Sequence, residues 1–245
     1  MICIQNLKKS FEEKIIFDHF ELEIPDGQFA ILSGKSGAGK TTLLNMIGGL
    51  EPLTDGEIHV DSYVFTKDSK PPRSYFQTKI GFIFQNYGLV DNKTVRQNLE
   101  MVRAKFRTDI SIEQALRNVG LEAAQDQPVY KLSGGEQQRI ALARLMLKQC
   151  DIILADEPTG SLDWENALRV IDIIKQLNQS GKTIVMVNDS DGILHQIYMD
   201  SQGNPVFEDE EDWNYIDEIN PIIEANRELI DETYEAWDTV FGIRD

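Results

Sequence analysis

The segment Gly34-Lys35-Ser36-Gly37-Ala38-Gly39-Lys40-Thr41 places three glycines, two lysines and two hydroxyls within eight residues. A buried-strand pattern over 28–33 runs into it and a helical pattern over 41–48 follows, the setting in which a glycine loop cradles phosphate. Glycines let the backbone curl so that successive N–H groups face phosphate oxygens. The helix N-terminus adds a favourable field, ~0.3–1 kcal/mol for a nearby exposed anion. Lys40 then reaches the β- and γ-phosphates and the Thr41 hydroxyl is placed to ligate Mg²⁺, with Thr42 continuing the turn. A second glycine turn, Ser133-Gly134-Gly135-Glu136, lies 93 residues after Lys40 and leads into a helical pattern over 137–148. Ser133, the Gly135 N–H and that helix N-terminus can hold a γ-phosphate. With one phosphate loop already present, such a turn serves best on the nucleotide of a facing copy.

Asp156-Glu157 ends another apolar strand pattern, 152–155, and Pro158 stops it. A strand end projects two adjacent carboxylates from a dry scaffold toward the phosphate loop. There Asp156 helps hold Mg²⁺ through its water shell and Glu157 polarises the attacking water, a contribution typically worth ~10²–10⁴-fold. Read in isolation the pair is equally a solvated acidic turn; the preceding strand favours the chemical reading.

The elements that must carry these residues show as patterns. The first 65 residues are β-rich, with apolar positions alternating or clustered in 1–7, 15–17 and 20–24 ahead of a Pro25-Asp26-Gly27 turn. Residues 56–65 read as a further strand, 67–74 as a loop around Pro71-Pro72, and 80–84 as buried strand. Apolar residues recur every three or four positions in 94–106, 111–120 and 136–148, a mainly helical section. Strand returns at 152–155, helix at about 165–178, and 183–187 is the last strong apolar strand. This alternation predicts an α/β fold with a largely parallel, helix-covered sheet and a helical insertion.

The bulk composition narrows the function. Of 245 residues 41% are apolar, enough for a core, yet no apolar run approaches the ~20 residues needed to cross a bilayer. The start, Met1-Ile2-Cys3-Ile4-Gln5, lacks the regions of a signal peptide. The two cysteines, Cys3 and Cys150, read as buried free thiols of a reducing cytosol. The formal charge of −17 is uneven: residues 206–245 hold fourteen acidic and two basic side chains, a net of −12, which leaves −5 for 1–205. Binding to nucleic acid relies on an excess of Lys and Arg that is absent here, so no nucleic-acid partner is expected.

On these residues, 1–205 resemble the nucleotide-binding subunit of an ATP-binding cassette (ABC) transporter throughout. The resemblance implies an α/β P-loop NTPase with a RecA-like parallel core, an N-terminal antiparallel β subdomain and a helical signature subdomain at about 88–149. It implies ATP and Mg²⁺ as cofactors, with Lys35, Ser36 and Ala38 completing the phosphate loop. Phe11 matches the aromatic that stacks on adenine, and Gln85 the glutamine that touches Mg²⁺ and links to the membrane partner. Residues 132–139 match the signature motif, so that Ser133, Gly134, Gly135 and Glu136 act on the partner's ATP. Ser161-Leu162-Asp163 matches the loop that crosses the dimer interface. The implied assembly is a homodimer around two ATP-Mg that drives an integral membrane permease from the cytoplasmic face of the plasma membrane. Coupling would run through the Gln85 loop and residues 87–94.

Ile80-Gly81-Phe82-Ile83-Phe84-Gln85-Asn86-Tyr87 and Ala155-Asp156-Glu157-Pro158-Thr159-Gly160-Ser161-Leu162-Asp163 are closest to exporter cassettes of the macrolide and lipoprotein type. Within that group Val129-Tyr130-Lys131-Leu132 resembles cassettes for lactococcin 972-type bacteriocin export. The implied cargo is a peptide, a lipoprotein or a drug-like compound.

Two segments depart from the family. Relatives end the strand at 183–187 with Thr-His-Asp, whose histidine contacts the γ-phosphate; this chain has Asn188-Asp189-Ser190. In register Asp189 takes that place, while a one-residue shift would give it to Asn188. None of His19, His59 or His195 substitutes by sequence position. An ionised Asp189 at ~4 Å from the γ-phosphate, with an effective dielectric of ~20, costs about 4 kcal/mol unless it turns away, pairs with a Lys or is protonated. Slow hydrolysis with intact ATP binding is therefore expected, the alternative being that Glu157 suffices. The same departure keeps open a regulatory cassette that uses ATP binding as a switch on a membrane partner without moving cargo. A DNA-repair or translation cassette suits poorly, since it wants basic surface.

The second departure is 206–245, beyond a turn at 201–205. An acidic linker, 208–212, precedes a helix signal in which Asn220 can cap and Pro221 suits the first turn. Ile219, Ile223, Asn226, Ile230, Tyr234, Trp237 and Phe241 recur at spacings of three or four, with Leu229 and Val240 beside them, so one face is apolar and aromatic and the other acidic. This C-terminal helical extension packs on its own body, or adds a surface for dimerisation or for the permease. Direct membrane contact is disfavoured, because acidic residues are repelled by anionic headgroups.

Overall fold

The computed structural model describes residues 1–160, 162–187, 195–199 and 205–206. In chain order its strands and α-helices are β1 (Ile2–Phe11), β2 (Lys14–Ile24), β3 (Phe29–Ser33), α1 (Lys40–Ile47), β4 (Asp55–Val60), β5 (Tyr63–Phe65), β6 (Ile80–Ile83), α2 (Val95–Glu100), α3 (Ile112–Asn118), α4 (Gly134–Leu147), β7 (Ile152–Asp156), α5 (Trp164–Gln179), β8 (Thr183–Val187), β9 (His195–Met199) and β10 (Pro205–Val206). Two sheets form: an antiparallel one in the order β2-β1-β4-β5, and a six-stranded one in the order β10-β9-β3-β8-β7-β6. In the second, β3, β8, β7 and β6 run parallel, and β9 and β10 close one edge antiparallel.

Burial explains why these strands sit where they do. Strands β3 and β8 are buried at every position and β7 at all but its last, because helices or the other sheet cover both faces. Alternate side chains feed two cores. Ile31, Ile153, Ala155, Ile184 and Met186 face the helical layer with residues of α2, α3, α4 and α5. Ala30, Leu32, Ile152, Leu154, Val185 and Val187 face α1 and the antiparallel sheet, where β1 alternates with Ile2 and Ile4 inward. The expected architecture is present: an α/β fold with a parallel core, an antiparallel subdomain and a helical insertion. Among the described residues no helix is long and apolar enough to cross a membrane.

Several local readings change. Residues 56–65 are a hairpin, not one strand: Val60 pairs with Tyr63 across a two-residue turn in which Asp61 takes φ 50. Residues 94–106 form only the short α2, whose Thr94 cap is a capping box, and a 3₁₀ turn at Ala104–Phe106. The chain leaves the helix because Thr108 N–H binds Leu147 O (2.9 Å) and Arg107 bridges to Lys148. A π-turn, Tyr75–Lys79, follows the 67–74 loop. Helix α4 starts at Gly134, three residues before the position its apolar spacing suggests. Cys150 is buried, whereas Cys3 is only half-buried on the outer face of β1. Strands β9 and β10 follow what read as the last strand, and Pro205, read as turn, opens β10 opposite Met199. The acidic linker 208–212 and the helical signal 219–241 lie outside the described residues.

Candidate functional site

Strand β3 delivers the chain into the glycine loop, and α1 carries it away. Gly37 and Gly39 have φ of +79° and +100°, left-handed backbone that glycine adopts cheaply. A Cβ on Gly39 would also stand 2.3 Å from Ile16 Cγ2 of β2, so the loop needs glycine there twice over. Gly39 caps α1 without a side-chain hydrogen bond, and the first turn has no acidic residue. The N–H groups of that turn point toward the loop, as at helix N-termini that receive anions. Lys40 is 5% exposed, and its ammonium donates to the carbonyl oxygens of Gly34 and, at 3.2 Å, Lys35. The loop wraps its own cation, at the place where phosphate oxygens would meet it.

Strand β7 brings the carboxylates to the same end of the parallel sheet, outside the C-terminal ends of the strands. The Thr41 hydroxyl donates to Asp156 Oδ1 at 2.9 Å, joining α1 to β7. Burial lifts the Asp156 carboxyl above its ordinary value, opposed by the Thr41 hydroxyl and the Lys40 charge. Glu157 has φ +45°, a left-handed conformation that costs a non-glycine residue ~1–3 kcal/mol. Its N–H donates to Val187 O at 3.1 Å, and its Oε2 accepts from Gln85 Nε2 at 3.1 Å. Residues from the ends of β6 and β8 therefore meet at Glu157, one on its carboxylate and one on its backbone.

The Thr41 hydroxyl, the Asp156 carboxylate and the Gln85 amide supply the hard oxygen donors that suit Mg²⁺, which keeps waters and takes few protein ligands. Among the described residues no group of three or more His, Cys, Asp or Glu could hold a metal by itself. A cation that fits here is one shared with phosphate oxygens.

The second glycine segment is built differently from the first. Ser133 caps α4: its Oγ accepts from Glu136 N–H at 3.3 Å, while Glu136 Oε2 accepts from Ser133 N–H at 2.8 Å, a capping box. Those bonds, first from the Ser133 N–H and then from its hydroxyl, hold the Glu136 carboxyl below its usual value. Gly134 and Gly135 form the first turn of the helix, not a turn ahead of it. A Cβ would lie 2.8 Å from Tyr87 Oη at Gly134 and 2.7 Å from Asn166 Cγ at Gly135, so close packing demands both. Arg139 donates to Asn166 Oδ1, and Asn166 Nδ2 to Asp163 Oδ2 at 2.7 Å, joining α4 to the segment that precedes α5. Phe11 lies at the end of β1, 46% exposed, with Lys9 Nζ 4.4 Å from its ring centre. Asn188, Asp189 and Ser190 lie outside the described residues, as does Ser161.

Sequence reasoning gave Gln138 no role of its own within the signature string and missed Arg144 and Asn166. Arg144 donates to the carbonyls of Gly88 (2.5 Å) and Tyr87 (3.1 Å), fixing the chain just after Gln85 to the far end of α4. No spacing marks such residues, because their partners are backbone atoms and side chains remote in sequence.

Comparison with known proteins gives the class. The family profile for the ABC transporter matches residues 17–160. The chain belongs to this family and is an ABC ATPase domain. It is 35% identical over 202 residues to the macrolide export ATP-binding/permease protein MacB of Campylobacter jejuni, a match covering 80% of this chain but 32% of that protein. The chain thus spans about a third of the length of that relative. With YvrO, an uncharacterized ABC transporter ATP-binding protein of Bacillus subtilis, identity is 36% over 198 residues, covering 76% and 86% of the two chains. Its fold is similar to the dimeric structure of MJ0796, a bacterial ABC transporter cassette, at TM-score 0.68, 35% identity and 77% and 88% coverage. A protein of that name is known from Methanocaldococcus jannaschii. A dimeric post-hydrolysis state of that cassette with ADP and Pi matches at TM-score 0.65 and 33% identity, with 77% and 88% coverage.

Proposed function

We propose that this chain binds and hydrolyses ATP as one half of a homodimer that closes around two ATP-Mg and powers a separate membrane permease, exporting a peptide, lipoprotein or drug-like substrate. The observation that carries the reading is the joining of the phosphate loop to the carboxylates: Thr41 on Asp156, and Gln85 on Glu157. The loop N–H groups and Lys40 hold the β- and γ-phosphates. Thr41, Asp156 and Gln85 would hold Mg²⁺, which would neutralise charge on the phosphates. Glu157, kept in place by Gln85 and Val187, polarises the water and accepts its proton. Phe11 offers an open ring to adenine. Ser133, Gly134, Gly135 and Glu136 at the N-terminus of α4 meet the γ-phosphate of the ATP held by the facing copy.

In this reading 1–205 is the cassette and 206–245 an appendage, with the dimer seated on the cytoplasmic face of the plasma membrane by its permease. The name of the MacB relative, an export ATP-binding/permease protein matched over 32% of its length, supports export and action with a permease. Bacteriocin export is the finer form, resting on the 129–132 string. A second reading, a regulatory cassette that switches a membrane partner without cargo, is favoured by Asn188-Asp189-Ser190 in place of the usual histidine. Turnover that rises with added cargo would separate transport from switching.

Light scattering tests the assembly. With ATP-Mg, Glu157→Gln should run at twice the 27.9 kDa chain mass, and Lys40→Ala should stay monomeric. A mass that ignores nucleotide in both would contradict the ATP sandwich.

A further inference from the structure

Gln138 sits in the second turn of α4 with 1% of its surface exposed. Its Nε2 donates to the carbonyl oxygen of Pro158 at 2.8 Å, while its Oε1, also buried, has no hydrogen-bond partner among the described residues. A buried acceptor left unmade is costly, and Met would fill the same space without that cost. The donor end must therefore matter. Reversing the amide would set its oxygen against the Pro158 oxygen, so the bond fixes the orientation.

What the donor holds is the carbonyl of Pro158, the residue after Glu157. Glu157 keeps its left-handed backbone, and such conformations persist only where the surroundings over-determine them. Val187 O takes the Glu157 N–H from β8, and Gln85 takes the carboxylate from the end of β6. Both of these ties come from the parallel sheet. The third, Gln138, comes from α4. That helix begins at the Ser133 cap, about 7.5 Å along the axis from Gln138 at 1.5 Å per residue. One rigid rod thus carries at its tip the residues proposed to meet the facing ATP, and on its flank the donor that braces Glu157. Next in sequence, Arg139 fixes the same rod to Asn166, which Asp163 holds.

We infer that Gln138 is a positioning residue for Glu157, carrying the placement of the signature helix, and so the occupancy of the facing ATP site, to the carboxylate that acts on the chain's own ATP. The inference rests on Glu157 being the group that polarises water. When α4 is drawn onto the ATP of the other copy, Gln138 sets the Pro158 carbonyl, and with it the Glu157 peptide, in the hydrolytic arrangement.

Gln138→Met in the full-length chain removes the donor and the orphan acceptor while keeping length. Misplacing a reacting group by ~1 Å can cost ~10²-fold, so kcat should fall by about tenfold or more, with KM and nucleotide affinity within about twofold and Tm unchanged or higher. In a Glu157→Gln background, single-turnover hydrolysis should lose nothing further, because the group being positioned is gone. A mere packing role would multiply the same loss into both backgrounds. Gln138→Glu, of the same shape but with an acceptor against Pro158 O, is measured in parallel in case Gln138→Met fails to fold. Near-wild-type kcat in whichever of these variants folds, or equal losses in both backgrounds, overturns the inference. Full turnover in Glu157→Gln overturns the underlying reading instead, whatever Gln138→Met does.

Discussion

At the scale of single residues, the two carboxylates at the end of β7 are both half-buried but have different partners. Glu157 is tied by hydrogen bonds to Gln85 and Val187, and Asp156 accepts from Thr41 near the Lys40 charge. Because burial lifts the Asp156 carboxyl, the folded chain binds its proton more readily than the unfolded chain does. Stability then falls as pH rises from the ordinary carboxylate value through the raised one, and the ionised group remains a net cost at neutral pH. Asp156→Asn, which can still accept from Thr41, should raise the Tm of the nucleotide-free chain at neutral pH and flatten its decline between pH 4 and 7, a shift of about 2–4 °C per kcal/mol recovered. Mg²⁺-dependent turnover should be lost at the same time. Unfolding curves across pH with no rise in Asp156→Asn would contradict the burial account. Thr41 and Asp156 were readable in sequence because loop and strand end announce themselves. The left-handed Glu157 and its brace by Gln138 were not, since both depend on a backbone angle and on partners far along the chain.

Elements show the same divide. The buried runs of β3, β7 and β8 were legible because a parallel strand covered on both faces has nothing but apolar residues to offer. Strand β9, His195-Gln196-Ile197-Tyr198-Met199, was not: its place comes from five backbone pairings with β3, which leave no apolar run to read. The 56–65 hairpin hid its turn in Asp61, a residue that tolerates left-handed backbone without signalling it. Contact between elements makes its own demands. Gly48 ends α1 in ordinary helical geometry, yet a Cβ there would stand 2.0 Å from Phe82 Cζ of β6. Gly48→Ala should therefore destabilise the chain by about 1–3 kcal/mol through overpacking, a lowered Tm in thermal unfolding being the check. Paired with Phe82→Leu, most of that loss should return. A Gly48→Ala chain as stable as the parent would mean that α1 and β6 are not packed this tightly.

The whole molecule joins a mildly acidic body to a strongly acidic end, −5 against −12 by formal charge. The resemblance to a dimeric cassette spans 77% of the chain. Strand β10 ends at Val206, so a chain cut there keeps the edge of the parallel sheet. It should bind ATP with unchanged affinity while losing solubility or thermal stability if 207–245 packs on the body; lost ATP binding would contradict a cassette complete by that point. The proposed transport cycle presupposes that Glu157 drives hydrolysis. Steady-state ATPase activity of the full-length chain beside Glu157→Gln tests this most directly. The account predicts a fall of ~10² or more in kcat with ATP affinity retained, and Asp189→His in the same assay should turn over faster than the parent. Turnover in Glu157→Gln equal to that of the parent chain would contradict it.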